Sequence, residues 1–319
     1  MMHIVPFHQL QYAHLEPLLL QEKEEWEGLL EWDFQNVILA FRSMLPSRLL
    51  PGLALLEGNR CVGYLYVVQR EMRCIIGGLY FQRELRASRW PRLLLERQLA
   101  ELSLSAPSQS IEGQITFPGP EQSVRQMLEE KGFTLMQRSF RRLTNLAVDI
   151  PAAPHHDLLL RPLNYGDVDA MALLMTRCYR DHVDGRVSAL YSTFRGCSFL
   201  LTQLILKDGC GAFQPWCSFT AHLGNEMIGV IVVSRISDRS FFISQIFIHP
   251  RQQKKGFGRY LLAACIHRIA RREPGAHLAL TVTRDNTRAM DWYERTGFQE
   301  VTSNFSFMRP PAEAEFSAD

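Results

Sequence analysis

Beyond residue 158 the chain switches repeatedly between two hydrophobic periods. Apolar residues at spacings of three and four over Asp167–Arg180, near 190–206, from the turn QKKGFGR (253–259) to about Arg272, and from about Thr287 to Thr296 predict helices. Shorter apolar runs, LLLR at 158–161, FFISQIFIHP at 241–250 and LALTVT at 278–283, predict strands, and a strand pair is expected around Phe298–Met308. A polar Gly224-Asn225 step between apolar runs predicts a β-hairpin. The result is a mixed α/β (α+β) fold whose largely antiparallel sheet is flanked by helices.

Part of this pattern occurs twice. Gly58-Asn59 and Val62-Gly63 in EGNRCVGYLYVV return as Gly224-Asn225 and Ile228-Gly229 in LGNEMIGVIVVS, an offset of 166 read from the numbering. LEEKGFTLMQRSF (128–140) returns as YERTGFQEVTSNF (293–305), an offset of 165. Two patches at almost one displacement predict two copies of one fold, with domains at 1–147 and 158–309. VDIPAAPHHD (148–157) reads as a linker and 310–319 as a flexible tail.

Length and composition agree with two domains. The 319 residues can bury two cores, and a net charge of +2 gives no global field for nucleic acid, so any anion site is local. No apolar run approaches the roughly 18–20 residues that span a bilayer, and MMHIVPFHQL lacks the basic and apolar regions of a leader. A cytoplasmic protein without membrane association is expected. The seven scattered cysteines form no CxxC pair, so neither a metal site nor a disulfide framework is expected; Cys210 and Cys217 read as reduced loop thiols.

QKKGFGR sits where a strand becomes a helix. A helix N-terminus has amides without intrahelical partners and a partial positive charge. Gly256 and Gly258 let an anion approach those amides, and Lys254, Lys255 and Arg259 surround them with cations. A lysine about 4 Å from a phosphate gains about 4 kcal/mol at an effective dielectric near 20, before desolvation. The turn is not a P-loop, because no Lys-Ser/Thr follows the glycines, and it lacks the third glycine of a dinucleotide fingerprint. On its own it is equally a solvated basic turn.

Its surroundings resemble the GNAT superfamily of N-acyltransferases. Gln253, Gly256 and Gly258 fill that family's QxxGxG signature after the strand IFIHP, and DNTRAMDWYERTGF supplies the next block with Asn286, Ala289, Tyr293 and Gly297-Phe298. The resemblance covers 158–309 and implies acetyl-CoA as donor. It implies that the amides of 254–259, Phe257 among them, cradle the pyrophosphate, and that Ile246, Phe247 and Ile248 pair with the pantetheine arm, whose bed is a splay between two parallel strands. It also implies that Ile246 N–H faces the thioester oxygen, where an amide aimed at developing charge favours the transition state. Tyr293 would protonate the departing thiolate, with Asn286 near the cofactor and capping its helix. The chemistry expected is direct acetyl transfer to an amine of a small molecule or peptide, without metal.

Two departures qualify that expectation. The family's usual glutamate base falls at Phe242, so a base must come from elsewhere; His182, with Asp181 and Asp184, lies in the loop YRDHVDGR (179–186), where the family contacts its acceptor. Deprotonating a lysine amine near pKa 10.4 at pH 7 costs about 4.6 kcal/mol and an α-amine near 8 about 1.4, which favours an acceptor of low pKa. In the first copy the turn's counterpart is RELRASRWPR (83–92), without glycine and with Pro91, and Leu128 stands at the Tyr293 position. That copy is expected to have lost coenzyme A binding, although Arg83, Arg86, Arg89 and Arg92 leave an anion site open. Two alternatives remain: a coenzyme A-binding sensor or scaffold without turnover, and transfer of a longer acyl group.

Overall fold

A computed structural model describes residues 1–70, 73–117, 121–147, 149 and 153–311. In chain order the first part contains β1 (Met2–Pro6), α1 (Tyr12–Glu25), α2 (Gln35–Met44), β2 (Gly52–Glu57), β3 (Arg60–Arg70), β4 (Arg73–Phe81), α3 (Trp90–Ser105), β5 (Ser110–Ile115), α4 (Glu121–Glu130) and β6 (Thr134–Leu143). There follow β7 (Leu158–Pro162), α5 (Val168–Tyr179), α6 (Phe194–Leu206), β8 (Ala212–Phe213), β9 (Phe219–Leu223), β10 (Glu226–Arg235), β11 (Ser240–Ile248), α7 (Phe257–Arg272), β12 (His277–Thr283), α8 (Thr287–Thr296) and β13 (Gln299–Arg309). The helices and hairpins of the second half fall where the periodicity places them. Residues 298–308 do not form a strand pair: nothing between Gln299 and Arg309 breaks the run, and β13 is continuous.

The chain forms two compact units, Met1–Gln137 with Ser303–Asp319, and Arg138–Thr302. These divisions differ from 1–147 and 158–309 because each half of the sequence gives its last strand to the other unit. In the first unit the strand order is β1-β2-β3-β4-β5-β13, and in the second β6-β12-β11-β10-β9-β7 with β8 beside β10. All pairs are antiparallel except β4 with β5 and β11 with β12. Arg138 to Leu143 of β6 pair with Thr283 to Leu278 of β12, while Phe305–Arg309 of β13 pair with Ile115 to Ile111 of β5.

Packing explains why both strands belong where they are. Leu143 and Leu146 join the second unit's core with Ile243, Leu280 and Phe298. Phe305 and Phe307 join the first unit's core; a Cβ at Gly113 would stand 2.3 Å from the Phe307 ring, so only glycine admits this aromatic. Residues 148 and 150–152 of the expected linker and 312–319 of the expected tail lie outside the described residues.

In the second unit, α7 turns Leu261, Leu262, Cys265, Ile266 and Ile269 to the sheet, an apolar stripe at helical spacing. Glu273-Pro274-Gly275 ends it, since proline cannot continue a helix. The opposite sheet face packs on α5 and α6 through Val230, Val232 and Phe247. Cys217 is not a loop thiol: it is fully buried in the α7 core. No described cysteine is in a disulfide, and no helix among the described residues is long and apolar enough to cross a membrane.

Candidate functional site

The parallel pairing of β11 with β12 runs from Ser240/His277 to Ile243/Leu280 and stops, although β11 continues to Ile248 and β12 to Thr283. Beyond Ile243 the strands part, and a cleft of about 440 Å³ opens within the second unit. A bulge shapes its wall: Val232 pairs with Gln245 and Val233 with Ile243, leaving Ser244 as the extra residue.

Register also settles where the backbone of β11 points. His249 N–H donates to Ile228 O at 2.8 Å, so with antiparallel alternation Phe247 faces β10 while the N–H and C=O of Ile246 and Ile248 face the gap. The Ile248 carbonyl there accepts from Gln253 Nε2 at 3.2 Å and from Cys178 Sγ at 3.3 Å. Phe247 turns its own side chain into the core against α5 and α6.

At one end of the cleft lies the 250–259 turn. His249 Nδ1 accepts from Arg251 N–H, which makes it a turn residue. Lys254 (φ 64°) and Gly256 (φ 88°) are both left-handed, a conformation that any Cβ strains and that Gly256 adopts freely. The first helical bond of α7 runs from Tyr260 N–H to Gly256 O, so the amides of Phe257, Gly258 and Arg259 have no intrahelical acceptor. Gln253, Lys254, Gly256, Gly258 and Arg259 line the cleft; the side chains of Lys255 and Phe257 do not. Lys255 bonds Gln252 Oε1 at 3.0 Å, and Phe257 is 3% exposed in the core.

The middle of the cleft gathers residues distant in sequence. Asn286 caps α8, its Oδ1 accepting from Ala289 N–H at 3.2 Å, and its Nδ2 donates to Asp184 Oδ2 at 2.8 Å. His182 Nδ1 accepts the Asp184 N–H at 3.2 Å and lies 3.5 Å from Asp184 Oδ2. Tyr293 is 5% exposed, stacks on Trp292 with centroids 4.8 Å apart, and its hydroxyl has no hydrogen-bond partner among the described residues. Burial, then the Asp184 charge, raise its pKa. Cys178 also lines the cleft, but burial pushes its thiol up to about 12, so it is no thiolate nucleophile at neutral pH.

The far end holds groups that sequence reasoning missed. Tyr179 Oη donates to Gln245 Oε1 and Gln245 Nε2 to Tyr191 Oη, each at 3.0 Å. Arg138, from β6, reaches the same end, its Nη2 3.5 Å from the Thr281 carbonyl. Phe242, at the position where a glutamate base would stand, is 8% exposed and stacked on Phe140. Asp181 is exposed and does not line the cleft. The Tyr179 neighbourhood was visible as YRDHVDGR, but nothing in the chain's local pattern joins Arg138 to residues 179–293.

In the first unit the parallel β4/β5 pairing likewise stops, at Ile76/Gly113. Tyr66 lies across the strand beyond it: a Cβ at Gly77 would stand 2.1 Å from the Tyr66 ring. Of the RELRASRWPR arginines, Arg83 and Arg86 pair with Glu25 at 2.6 and 2.8 Å, and Arg89 lies over Trp90.

Residues 187–298 match the family model described as "Acetyltransferase (GNAT) family". The second half of the chain carries a GNAT domain. No curated protein matches the chain. Among solved structures, a GCN5-related N-acetyltransferase from Sphaerobacter thermophilus has a TM-score of 0.64 at 14% identity, covering 97% of this chain and 95% of that one. A fungal glucosamine N-acetyltransferase region of a multi-domain GH3 β-N-acetylglucosaminidase gives 0.64 at 12%, over 96% of this chain and 38% of that one. A tandem GNAT protein from the clavulanic acid biosynthesis pathway gives 0.57 at 14%, over 99% and 100%. At these identities the likeness is one of fold, and the fold is two tandem GNAT-like domains.

Proposed function

We propose that the second unit is an acetyl-CoA-dependent N-acetyltransferase that transfers its acyl group directly to an amine. The observation that carries this reading is the parting of β11 from β12 directly beside the open α7 N-terminus, which leaves a strand edge without a neighbouring strand leading to the free amides of that helix. The pantetheine arm would add to the edge of Ile246–Ile248, and the pyrophosphate would meet the amides of 254–259 with Lys254 and Arg259 around it.

The chemistry forms a C–N bond and breaks a C–S bond. Ile246 N–H stabilises the oxygen that becomes negative, and the Tyr293 hydroxyl donates its proton to the departing thiolate. The amine's proton leaves through water to the His182–Asp184 pair, and Asn286 holds Asp184 in place. The first unit, with Tyr66 across the strand and Arg83 and Arg86 paired with Glu25, is read as having lost coenzyme A binding and serving as a structural partner.

Phe242 favours a second reading, a coenzyme A-binding sensor without turnover, because the usual base is replaced by a packed aromatic. Calorimetry with acetyl-CoA and a thiol-release assay over amines separate the two. Wild type should bind, and Gly256→Glu should abolish binding by combining a strained φ with a charge in the cradle. Normal affinity in that variant would remove the pyrophosphate assignment; binding with no thiol release from any amine would favour the sensor. Thiol release from longer acyl-CoA in preference to acetyl-CoA would revise the donor.

A further inference from the structure

The two ends of the cleft differ in their electrostatics. The α7 end is cationic and solvent-facing, with Lys254 and Arg259 exposed. The far end is walled by a chain of neutral groups, Tyr179 donating to Gln245 and Gln245 to Tyr191. One cation stands among them. Two other arginines of the second unit are neutralised, Arg141 by Glu294 at 2.8 Å and Arg284 by Glu300 at 2.6 Å, while Arg288, which also lines the cleft, is exposed to solvent. Arg138 has no carboxylate partner among the described residues, its Nε is buried without a hydrogen-bond partner, and its Nη2 reaches only the Thr281 carbonyl at 3.5 Å. A half-buried guanidinium with unused donors is costly unless an anion completes it.

A second observation bounds the anion's carrier. Arg138, Tyr191 and Asp184 line the same cleft, so it carries a cation and a carboxylate as well as the Tyr191 phenol. Asp184 is also the group held by Asn286 beside Tyr293. An acceptor with its amine on the Asp184 side and an anion on the Arg138 side would be a compact zwitterion. A single planar guanidinium matches a carboxylate bidentately, whereas a phosphate dianion would leave charge uncompensated.

Resting on the reading of this cleft as an N-acetyltransferase site, we propose that Arg138 binds the acceptor's carboxylate and that the acceptor is a small amino acid, its amine and carboxylate on one molecule. Arg138 is thereby a specificity residue supplied by the strand that the first half of the sequence gives to the second unit.

The test uses the full chain with CoA present. Binding of the twenty L-amino acids, β-alanine and γ-aminobutyrate is compared by calorimetry with that of their carboxamides. At least one acid should bind tenfold or more tightly than its amide. Arg138→Met should erase that ratio while CoA affinity stays within twofold, and Arg138→Lys should keep part of it; Arg138→Gln serves if the Met variant does not fold. The proposal is overturned if no acid is preferred over its amide by wild type, or if the preference survives Arg138→Met. Should CoA fail to bind, the N-acetyltransferase reading falls, and the acid-over-amide ratio measured without CoA still decides the role of Arg138.

Discussion

At Tyr293 burial has two consequences. It raises the hydroxyl's pKa, so the proton is present throughout the neutral range, and it shields from solvent a hydroxyl that lines the cleft. On the proposed role, Tyr293→Phe should lower turnover at least tenfold with acetyl-CoA affinity nearly unchanged, because the interaction lost would be made with the leaving group as the bond breaks. Steady-state kinetics beside calorimetry reads the split, and an unaltered rate removes the tyrosine from that role. Tyr293, Asn286 and the 253–259 turn could be picked out of the sequence because their spacing is local, set by one turn and one helix. Arg138, Tyr191 and Gln245 could not, because their pairing depends on a bulge at Ser244 and on a strand from the far half of the chain.

Among the elements, α1 is tied to β3 by a carboxylate that the sequence pattern did not single out. Glu22 is 6% exposed; it accepts from the Tyr64 hydroxyl and from Trp26 Nε1. Burial pushes its pKa up to about 7 from 4.5, against the pull of those two hydrogen bonds. The unfolded chain therefore loses this proton near pH 4.5 and the folded chain not until about 7. The stabilising contribution is whole below 4.5, declines as pH rises, and is gone above about 7. At about 1.36 kcal/mol per pKa unit, the range amounts to about 3 kcal/mol. Glu22→Gln, which cannot ionise, should gain stability relative to wild type between pH 5 and pH 8. Urea unfolding of both at the two pH values checks this, and a pH-independent difference refutes it. On the helix pattern alone Glu22 reads as one more charge on a surface helix; only the β3 packing buries it.

For the whole molecule, the exchange of β6 and β13 defines what can fold. A fragment of residues 134–302 retains the strand beside β12 with Leu143 and Leu146. A fragment of 158–302 leaves β12 at an unpaired edge and opens the core at those two leucines, and deleting large buried side chains costs about 2–5 kcal/mol each. Circular dichroism on heating should show cooperative unfolding for the longer fragment and a lower or absent transition for the shorter; equal midpoints would mean that β6 is dispensable to the second unit.

The repeat that announced two domains also hid their boundaries. LEEKGFTLMQRSF and YERTGFQEVTSNF share one pattern, so each strand suits either sheet, and local sequence carries no preference between them. Periodicity and glycine spacing alone determined the kinds of element, the doubling of the fold and the glycine turn that opens α7, because those depend on contacts a few residues apart. Tertiary structure alone decided which strand closes which sheet, and so brought Arg138 to the cleft, because that choice rests on packing between residues more than a hundred positions apart.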